Sequence, residues 1–518
     1  MNRLTLAMLS TCATLALAAP SLGATGQEVL DTICAACHAK DADGKYSRID
    51  ASRRTPEGWD MNVVRMIRNY GLNLSDADRA AVVRYLADTR GLSVEETDGY
   101  RYVLEKEPVA DDTGVNQLMT ETCRRCHSYA RVALQRRTPE DWKKLINFHL
   151  GQFPSLEYQA LARDRDWWGM ANGEVLGELT RRYVDGGAPA RAEVDMTGEW
   201  RVAGHQPKRG DYTGVMSVTA EGDAYAVTVD LTYADGSTAT QSGRAILYGA
   251  GEWRGSLTSA DTELRQVLAL RADKTMDGRW FHTDQDTIGG RIKAVRADAA
   301  PQILSVSPGH LKAGETAEIT VSGIGLTGAP ALPAGVTAEV VSQDADTVVL
   351  KATAAADAPA AAGDVAIGAS ALPGALTAYP ALDRVTVEPA LAYSRIGGNG
   401  GPIPRHPAQF EAIGWLNGPD GQPETADDIR VGAMPADWRT EDFDAAARQM
   451  QDARFAGAIQ PDGLFLPADA GPNPERPMMT NNAGNLKLIA TVTDGDTTLE
   501  AQGNLYATVQ RFVDMPIN

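Results

Sequence analysis

The stretch Cys34-Ala-Ala-Cys37-His38 recurs as Cys123-Arg-Arg-Cys126-His127, and this pair of motifs decides how the first third of the chain is organised. Two thiols three positions apart can add to the two vinyl groups of one porphyrin, and the next residue can supply an imidazole to its iron. The motifs therefore predict two covalently bound haem c groups, attached at the four cysteines, with His38 and His127 as iron ligands. A redox dithiol and half of a zinc site are the alternatives. The first needs no trailing histidine, and the second lacks further cysteines to complete it.

The first 24 residues have the pattern of a secretory signal peptide. Arg3 gives a positive start, residues 4–19 are apolar, and small residues at 21–24 offer a cleavage site. The apolar run is too short to cross a bilayer, and no later segment approaches about 20 apolar residues, so no membrane span is expected. Export resembles the behaviour of c-type cytochromes that mature on the periplasmic side of bacterial membranes, which predicts a periplasmic location.

Length, charge and cysteine content narrow the possible classes. At 518 residues the chain is too long for one core, and several domains are expected. A net charge of −19 argues against a nucleic-acid partner. Of the five cysteines, Cys12 lies in the signal segment and the other four lie in the two motifs. The mature chain therefore has no cysteine left for a disulfide.

Each motif is followed by a matching stretch, Arg53-Arg-Thr-Pro-Glu-Gly-Trp59 and Arg136-Arg-Thr-Pro-Glu-Asp-Trp142, at an offset of 83 residues. Threonine before proline predicts a helix start, with threonine as N-cap and proline at the first helical position. Asp141 would complete a capping box with Thr138, whereas Gly58 cannot do so for Thr55.

This repeat predicts the remaining iron ligands. Met66 lies seven residues after the first tryptophan of the repeat and His149 seven after the second, so each shares a helix face with its tryptophan. Both side chains bind haem iron well, which predicts a His38/Met66 haem and a His127/His149 haem. A core methionine and a surface or core histidine are the ordinary alternatives for the two positions. Met61, the nearest rival, lies about 140° around the helix from Met66 and should face elsewhere, whereas Met119 and Met170 remain open as candidates for either iron.

The fold class follows from the change of pattern near residue 192. Helical spacing predicts an all-α tandem dihaem cytochrome c domain over residues 25–190. Period-two alternation with glycine-rich turns, such as Asp235-Gly236, predicts all-β domains after it. We expect an antiparallel β-barrel over 191–299 and immunoglobulin-like sandwiches over 300–383 and 384–518. The acidic stretch 420–428 has the clustered carboxylates that a calcium ion needs, but a solvated acidic turn is the favoured interpretation.

The motifs, the repeats and the domain order together resemble the α (large, dihaem) subunit of quinohemoprotein amine dehydrogenase over essentially the whole mature chain. The resemblance implies a periplasmic heterotrimer with a β-propeller subunit and a small subunit bearing cysteine tryptophylquinone. That quinone would oxidise primary amines to aldehydes and ammonia, and electrons would pass through the two haems to a soluble cytochrome c or a blue-copper protein. The resemblance places no catalytic residue in this chain, and no cysteine remains here to form the quinone.

Two other functions stay open at this point. A stand-alone dihaem electron carrier or a cytochrome c peroxidase-like enzyme would need no companion subunits, and the peroxidase would leave one iron without a strong sixth ligand. A binding module, in which the β domains hold a partner and the haems act as a tethered relay, is the third. Because a methionine ligand raises the haem potential relative to two histidines, we expect electrons to enter at the His127/His149 haem and leave through the His38/Met66 haem.

Overall fold

A computed structural model describes residues 24–152 and 166–509. The expected signal segment, residues 1–24, lies outside the described residues except for its last position. Within the described ranges no helix combines the length and the apolar character needed to cross a membrane. Strands make up most of the regular structure, and the helices are short and concentrated before residue 183.

The helical part forms two units, one around each cysteine motif, and a second helix packs on the first in each unit. The helices are α1 (Gly26–Thr32), α2 (Pro56–Tyr70), α3 (Asp76–Thr89), α4 (Val94–Thr97), α5 (Gln117–Glu121), α6 (Ala130–Ala133), α7 (Pro139–Gln152), α8 (Trp167–Met170) and α9 (Leu176–Arg182). The Trp59 indole donates to the Arg90 carbonyl at the end of α3, and Trp142 donates to the Tyr183 carbonyl at the end of α9, both at 3.0 Å. The repeated tryptophans therefore fasten the second helix of each unit.

The prediction of an all-α haem domain over residues 25–190 is wrong. Strands β1 (Ser52–Arg54) and β2 (Gln135–Arg137) form a two-stranded antiparallel sheet between the two units. The reason is local: the residue before a proline avoids the helical region, so the chain enters α2 and α7 extended, and the two extended segments pair with each other. A strand of three residues is too short for a period-two pattern to reveal it.

The register of this sheet relates the two units by an approximate twofold axis. Arg53 pairs with Arg136, which is its own equivalent at the offset of 83 residues, and Ser52 and Arg54 pair with Arg137 and Gln135. When a segment pairs antiparallel with its own copy, both partners contribute the same surface, as the two subunits of a twofold-symmetric dimer do. The tandem repeat thus packs as a pseudo-dimer within one chain.

A closed antiparallel barrel follows, in which neighbouring strands are consecutive and β10 pairs with β3 to close it. Its strands are β3 (Gly198–Gln206), β4 (Gly210–Glu221), β5 (Ala224–Tyr233), β6 (Thr238–Tyr248), β7 (Glu252–Ser259), β8 (Thr262–Leu270), β9 (Thr275–His282) and β10 (Gly289–Arg296). Asp235-Gly236 lies in the turn between β5 and β6, where Gly236 has a φ of 81°. Large buried side chains, among them Trp200, Trp253 and Met216, pack together in the barrel core.

Two further β regions complete the chain. In the first, two four-stranded sheets share one core; its strands are β11 (Gln302–Ser307), β12 (His310–Lys312), β13 (Thr316–Ile324), β14 (Pro330–Ala331), β15 (Val336–Gln343), β16 (Thr347–Ala354), β17 (Ala361–Ile367) and β18 (Ser370–Tyr379). The second has three sheets and two short helices, built from β19 (Arg384–Glu388), β20 (Leu391–Arg395), β21 (Ala408–Gln409), β22 (Glu411–Leu416), β23 (Ile429–Met434), β24 (Asp437–Asp442), α10 (Ala445–Met450), α11 (Asp452–Phe455), β25 (Gly457–Ile459), β26 (Leu464–Pro467), β27 (Gly484–Asp494) and β28 (Thr497–Thr508).

A buried ion network joins the barrel to the helical units. Glu252, at the start of β7, accepts from Arg101 at 2.7 Å and from Arg254 at 2.8 Å. Arg254 also pairs with Glu57, in the first turn of α2. Burial raises the pKa of the Glu252 carboxyl, but the two guanidinium groups outweigh this and lower its pKa to about 2. The barrel therefore holds the N-terminal end of the helix that carries Met66.

A histidine links the barrel to the last β region. The ring nitrogens of His205 lie 2.7 Å from an Asp211 oxygen and 2.8 Å from a Glu411 oxygen. Burial lowers the pKa of His205, but the hydrogen bonds to the two carboxylates outweigh it and raise its pKa to about 10. The charged imidazolium is therefore the form that bridges the two β regions.

We expect this bridge to make stability fall in alkaline solution. A raised histidine pKa contributes stability that is complete below the unfolded value near 6.5 and is lost as the pH rises through about 10. The melting temperature, followed by circular dichroism from pH 6 to pH 10.5, should therefore decline more steeply in the native chain than in His205→Gln. His282→Gln, a histidine whose pKa burial lowers instead, serves as the control and should keep the native slope. Identical slopes in the native chain and His205→Gln would contradict the assignment.

Candidate haem site

The two cysteine motifs fold into the same local structure. Each begins with a 3₁₀ turn, Cys34–Ala36 and Cys123–Arg125. The second cysteine of each motif has nearly the same backbone angles: φ −114° and ψ −27° for Cys37, and φ −113° and ψ −23° for Cys126. In the first motif the Cys37 and His38 amides both donate to the Cys34 carbonyl, at 3.2 Å and 2.9 Å. This tight turn brings two thiols and an imidazole together, as attachment of one porphyrin requires.

Each motif histidine has one ring nitrogen occupied by a backbone carbonyl. His38 Nδ1 lies 2.9 Å from the Ser47 carbonyl oxygen, and His127 Nδ1 lies 2.8 Å from the Ser128 carbonyl oxygen. A carbonyl accepts only from N–H, so Nδ1 carries the proton and the lone pair is on Nε2. Metal-binding histidines are commonly oriented in this way by the bond at their other nitrogen. Both residues therefore fit an iron-ligand role.

The thiols do not fit a redox dithiol. All four motif cysteines are free of disulfides. Burial raises the pKa of the first thiol in each motif, Cys34 and Cys123. The attacking cysteine of a disulfide oxidoreductase has a lowered pKa and an exposed sulfur. In both motifs the first cysteine is less exposed than the second. A partly buried thiol favours attachment to the apolar edge of a porphyrin.

The structure brings each motif to the helix that carries its second candidate ligand. Cys34 packs against the buried cluster that contains Trp59 and Val63, and the face of these two residues on α2 continues to Met66. Met66 is half-buried, and α2 ends one turn later at Gly71, whose φ of 68° is left-handed. The first motif and α2, the helix that carries Met66, therefore share one core.

The second unit shows the same arrangement with a histidine in place of the methionine. Cys123 and Ile146 pack on the cluster that contains Trp142. His149 Nδ1 lies 2.7 Å from the Leu145 carbonyl oxygen, so its proton also sits on Nδ1. Burial lowers the pKa of His127, and the nearby charges of Arg131 and His149 lower it further. The second motif and the helix that carries His149 thus pack on one core.

The alternative methionines lie in different surroundings. Arg65 Nη2 approaches the Met61 sulfur at 3.6 Å, and Arg131 Nη2 approaches it at 3.9 Å, so this sulfur points to two arginines. Met119 is fully buried in the core of the second unit. Met170 ends α8 and is partly exposed. Met66 and His149 remain the predicted ligands.

Sequence reasoning missed the residues that support the second motif. Asp112 is buried and accepts from Arg124, inside the motif, at 2.9 Å and from the Tyr129 amide at 3.1 Å. Arg125, also inside the motif, stacks 4.7 Å from the Trp167 ring centroid. The two arginines of Cys-Arg-Arg-Cys-His were the available signal, because charged side chains inside a haem-attachment motif, next to an apolar ring, need partners.

The acidic stretch at 420–428 is occupied by protein contacts. Asp428 pairs with Arg384 and accepts from the Glu424 amide at 2.8 Å. Asp427 accepts from the Thr425 hydroxyl at 2.8 Å and from the Asp420 amide at 3.2 Å. These contacts stabilise a loop, and we assign it no cation.

Comparison with known proteins places this site in a family. The model of the quinohemoprotein amine dehydrogenase alpha subunit haem-binding region matches residues 24–188, and the models of its domains II, III and IV match residues 193–297, 300–380 and 385–517. No curated protein matches the chain. Among solved structures, the redesigned β-barrel mFAP1 bound to DFHBI is 14% identical, with a TM-score of 0.17 over 19% of this chain and 91% of that one.

A second solved structure, extracellular cadherin domains 1–4 of protocadherin gamma B7, is 10% identical, with a TM-score of 0.15 over 45% of this chain and 57% of that one. Neither of these two likenesses bears on function. The four family matches, by contrast, follow one another in order and cover nearly the whole chain. The chain belongs to the family of quinohemoprotein amine dehydrogenase alpha subunits and contains that family's haem-binding domain.

Proposed function

We propose that this chain is the dihaem electron-transfer subunit of a periplasmic amine dehydrogenase. The observation that carries the proposal is the repeated turn: two Cys-x-x-Cys-His segments with matching backbone angles, each with a histidine whose Nδ1 is bound to a carbonyl. A haem c held there would supply one-electron transfer between ferric and ferrous iron. With Met66 and His149 as the remaining ligands, no position would be open for substrate, and this would separate the role from that of a peroxidase.

The residues of the chain have distinct roles in this proposal. Cys34 and Cys37 attach one haem, and Cys123 and Cys126 attach the other. His38 and His127 would present Nε2 to iron, and the carbonyl contacts at their Nδ1 atoms hold the rings in place. Met66 on α2 and His149 on α7 would supply the remaining ligands, and the Nδ1 atom of His149 is bound to a carbonyl.

The partners follow from membership of the family. An alpha subunit implies other subunits, and we propose a β-propeller subunit and a small subunit with cysteine tryptophylquinone. That small subunit would oxidise primary amines to aldehyde and ammonia, and a soluble cytochrome c or blue-copper protein would accept the electrons. The signal-like residues 1–24 support export to the periplasm.

A single preparation tests this function. The chain is purified from the periplasm with whatever accompanies it, and a primary aliphatic amine is added without oxygen. We expect the haem absorbance to change to that of the reduced form within the assay, because a quinone in a companion subunit would pass its electrons on. A tertiary amine is the matched control, since oxidative deamination to ammonia needs a primary one. The proposal would be contradicted if the chain carries two haems but purifies without any companion protein, and if its haems stay oxidised with every primary amine.

A further inference from the structure

The paired strands β1 and β2 place one glutamine in contact with both halves of the pseudo-dimer. Gln135 is buried, and its amide oxygen accepts from Arg54 Nη1 at 3.0 Å and from Arg137 Nε at 2.8 Å. The two arginines are equivalents at the offset of 83 residues, one in each unit. The Gln135 amide nitrogen donates to the backbone carbonyl of Arg131, on α6, at 2.7 Å. One side chain therefore joins β1, β2 and the helix that follows the second motif.

Each of these two arginines lies over the repeated tryptophan of its own unit. The Arg54 guanidinium lies 5.8 Å from the Trp59 ring centroid, and the Arg137 guanidinium lies 5.6 Å from the Trp142 ring centroid. A guanidinium within about 6 Å of an aromatic ring centroid is attracted to the ring. The two tryptophans belong to the cores on which the first cysteine of each motif packs. The contacts therefore form a continuous series from one haem-attachment core, through Gln135, to the other.

The equivalent position in the first unit does not duplicate this role. It is occupied by Ser52, whose side chain is too short to reach two guanidinium groups. Arg137 has a carboxylate partner as well, Asp141. The Arg54 side chain is buried, and within residues 24–152 and 166–509 the Gln135 oxygen is the only hydrogen-bond acceptor of its guanidinium. Because a buried donor is costly to leave without its acceptor, this contact holds the first unit against the second.

We propose that Gln135 is a positioning residue that fixes the two units relative to each other and so sets the rate of electron transfer between their haems. The inference rests on the proposed two-haem function and names a residue that governs the step within it. In that step a ferrous haem loses one electron and a ferric haem gains it, and no bond forms or breaks. The rate of such transfer falls steeply with separation and depends on orientation, so the two centres must be held precisely.

The test compares substitutions at Gln135 with one at Ser52 in the purified complex. Gln135→Leu removes the three side-chain hydrogen bonds, and Gln135→Asn, one methylene shorter, cannot contact both arginines. Gln135→Glu keeps an acceptor for both arginines, and Ser52→Ala is the matched control at the equivalent position. Haem content is measured first, by the haemochrome spectrum in alkaline pyridine. A native chain without two haems would be a failure of the proposed function, and not of this inference.

Three measurements then follow the haems. A photoreductant delivers one electron in a flash, and the phase whose rate is independent of protein concentration gives the transfer between the haems. Circular dichroism in the Soret region reports how the two haems are oriented to each other, through the coupling of their transitions. Spectroelectrochemical midpoint potentials show whether the surroundings of either iron have changed.

We expect Gln135→Leu and Gln135→Asn to slow the transfer several-fold and to change the Soret dichroism. The potential of each haem should stay the same, because neither substitution touches a predicted iron ligand. Gln135→Glu should recover most of the native rate, and Ser52→Ala should keep all of it. If Gln135→Leu does not attach two haems, the milder Gln135→Asn decides the comparison. A native rate in two-haem Gln135→Asn protein, an equal fall in Ser52→Ala, or a fall explained by a shifted potential would overturn the proposal.

Discussion

Met66→His should lower the midpoint potential of the first haem by a sizeable part of the roughly 0.8 V that axial ligands span in haem proteins. The substitution copies the second unit, where His149 stands at the equivalent position. An imidazole in place of a thioether favours ferric iron, because methionine ligation raises the haem potential. Met66 sits one turn before the end of α2 and is half-buried, so a side chain of similar volume can be accommodated.

Spectroelectrochemistry of the purified complex measures this change, and the near-infrared charge-transfer band of methionine-bound ferric haem should disappear with it. Met61→His is the matched control on the same helix. Its sulfur points to Arg65 and Arg131, so neither the near-infrared band nor the ligand-dependent fall in potential should follow that substitution. If Met61→His abolishes the band and Met66→His preserves it, the ligand assignment is reversed.

Local chemistry made part of this molecule predictable. Five consecutive residues specify a haem-binding turn because thiol spacing and the following imidazole are fixed by the porphyrin. Alternation of buried and exposed residues, together with turn residues such as Asp235-Gly236, indicated the strands of the barrel, because each barrel strand has one face in the core. The haem-binding domain and the family follow from these elements and their order.

What could not be predicted depends on contacts between distant segments. The sheet of Ser52–Arg54 with Gln135–Arg137 is decided by how two helix starts face each other, and three residues contain no periodic signal. The role of Asp141 shows the same limit. Its backbone amide does donate to the Thr138 hydroxyl at 3.2 Å, as the predicted capping box requires, but its carboxylate binds Arg48 and Arg137. A carboxylate takes the partner that removes a buried charge, and that partner is 93 residues away in sequence.

The same reasoning applies to Glu252, a buried ion partner between the helical units and the barrel. Glu252→Gln should lower the free energy of unfolding by about 3 kcal/mol, because removing one charge of a buried ion network leaves its partners less well compensated. Arg101 would keep only Glu105 and Arg254 only Glu57 as carboxylate partners among the described residues, and the Glu252 side chain is 3% exposed. Denaturant unfolding of the purified chain, followed by tryptophan fluorescence, measures the loss.

The acid limb of stability gives a second, independent signature of the same carboxylate. A lowered carboxyl pKa contributes stability that is present above the unfolded value of 4.5 and is lost as the pH falls through about 2. The native chain should therefore lose stability more steeply between pH 4.5 and pH 2 than Glu252→Gln does. Glu500→Gln, which breaks an exposed pair with Arg439, should change neither the unfolding free energy nor the acid slope measurably. If Glu252→Gln and Glu500→Gln changed the unfolding free energy and the acid slope equally, solvent would screen Glu252 as well. Apolar packing between the helical units and the barrel, rather than this ion network, would then hold α2 in place.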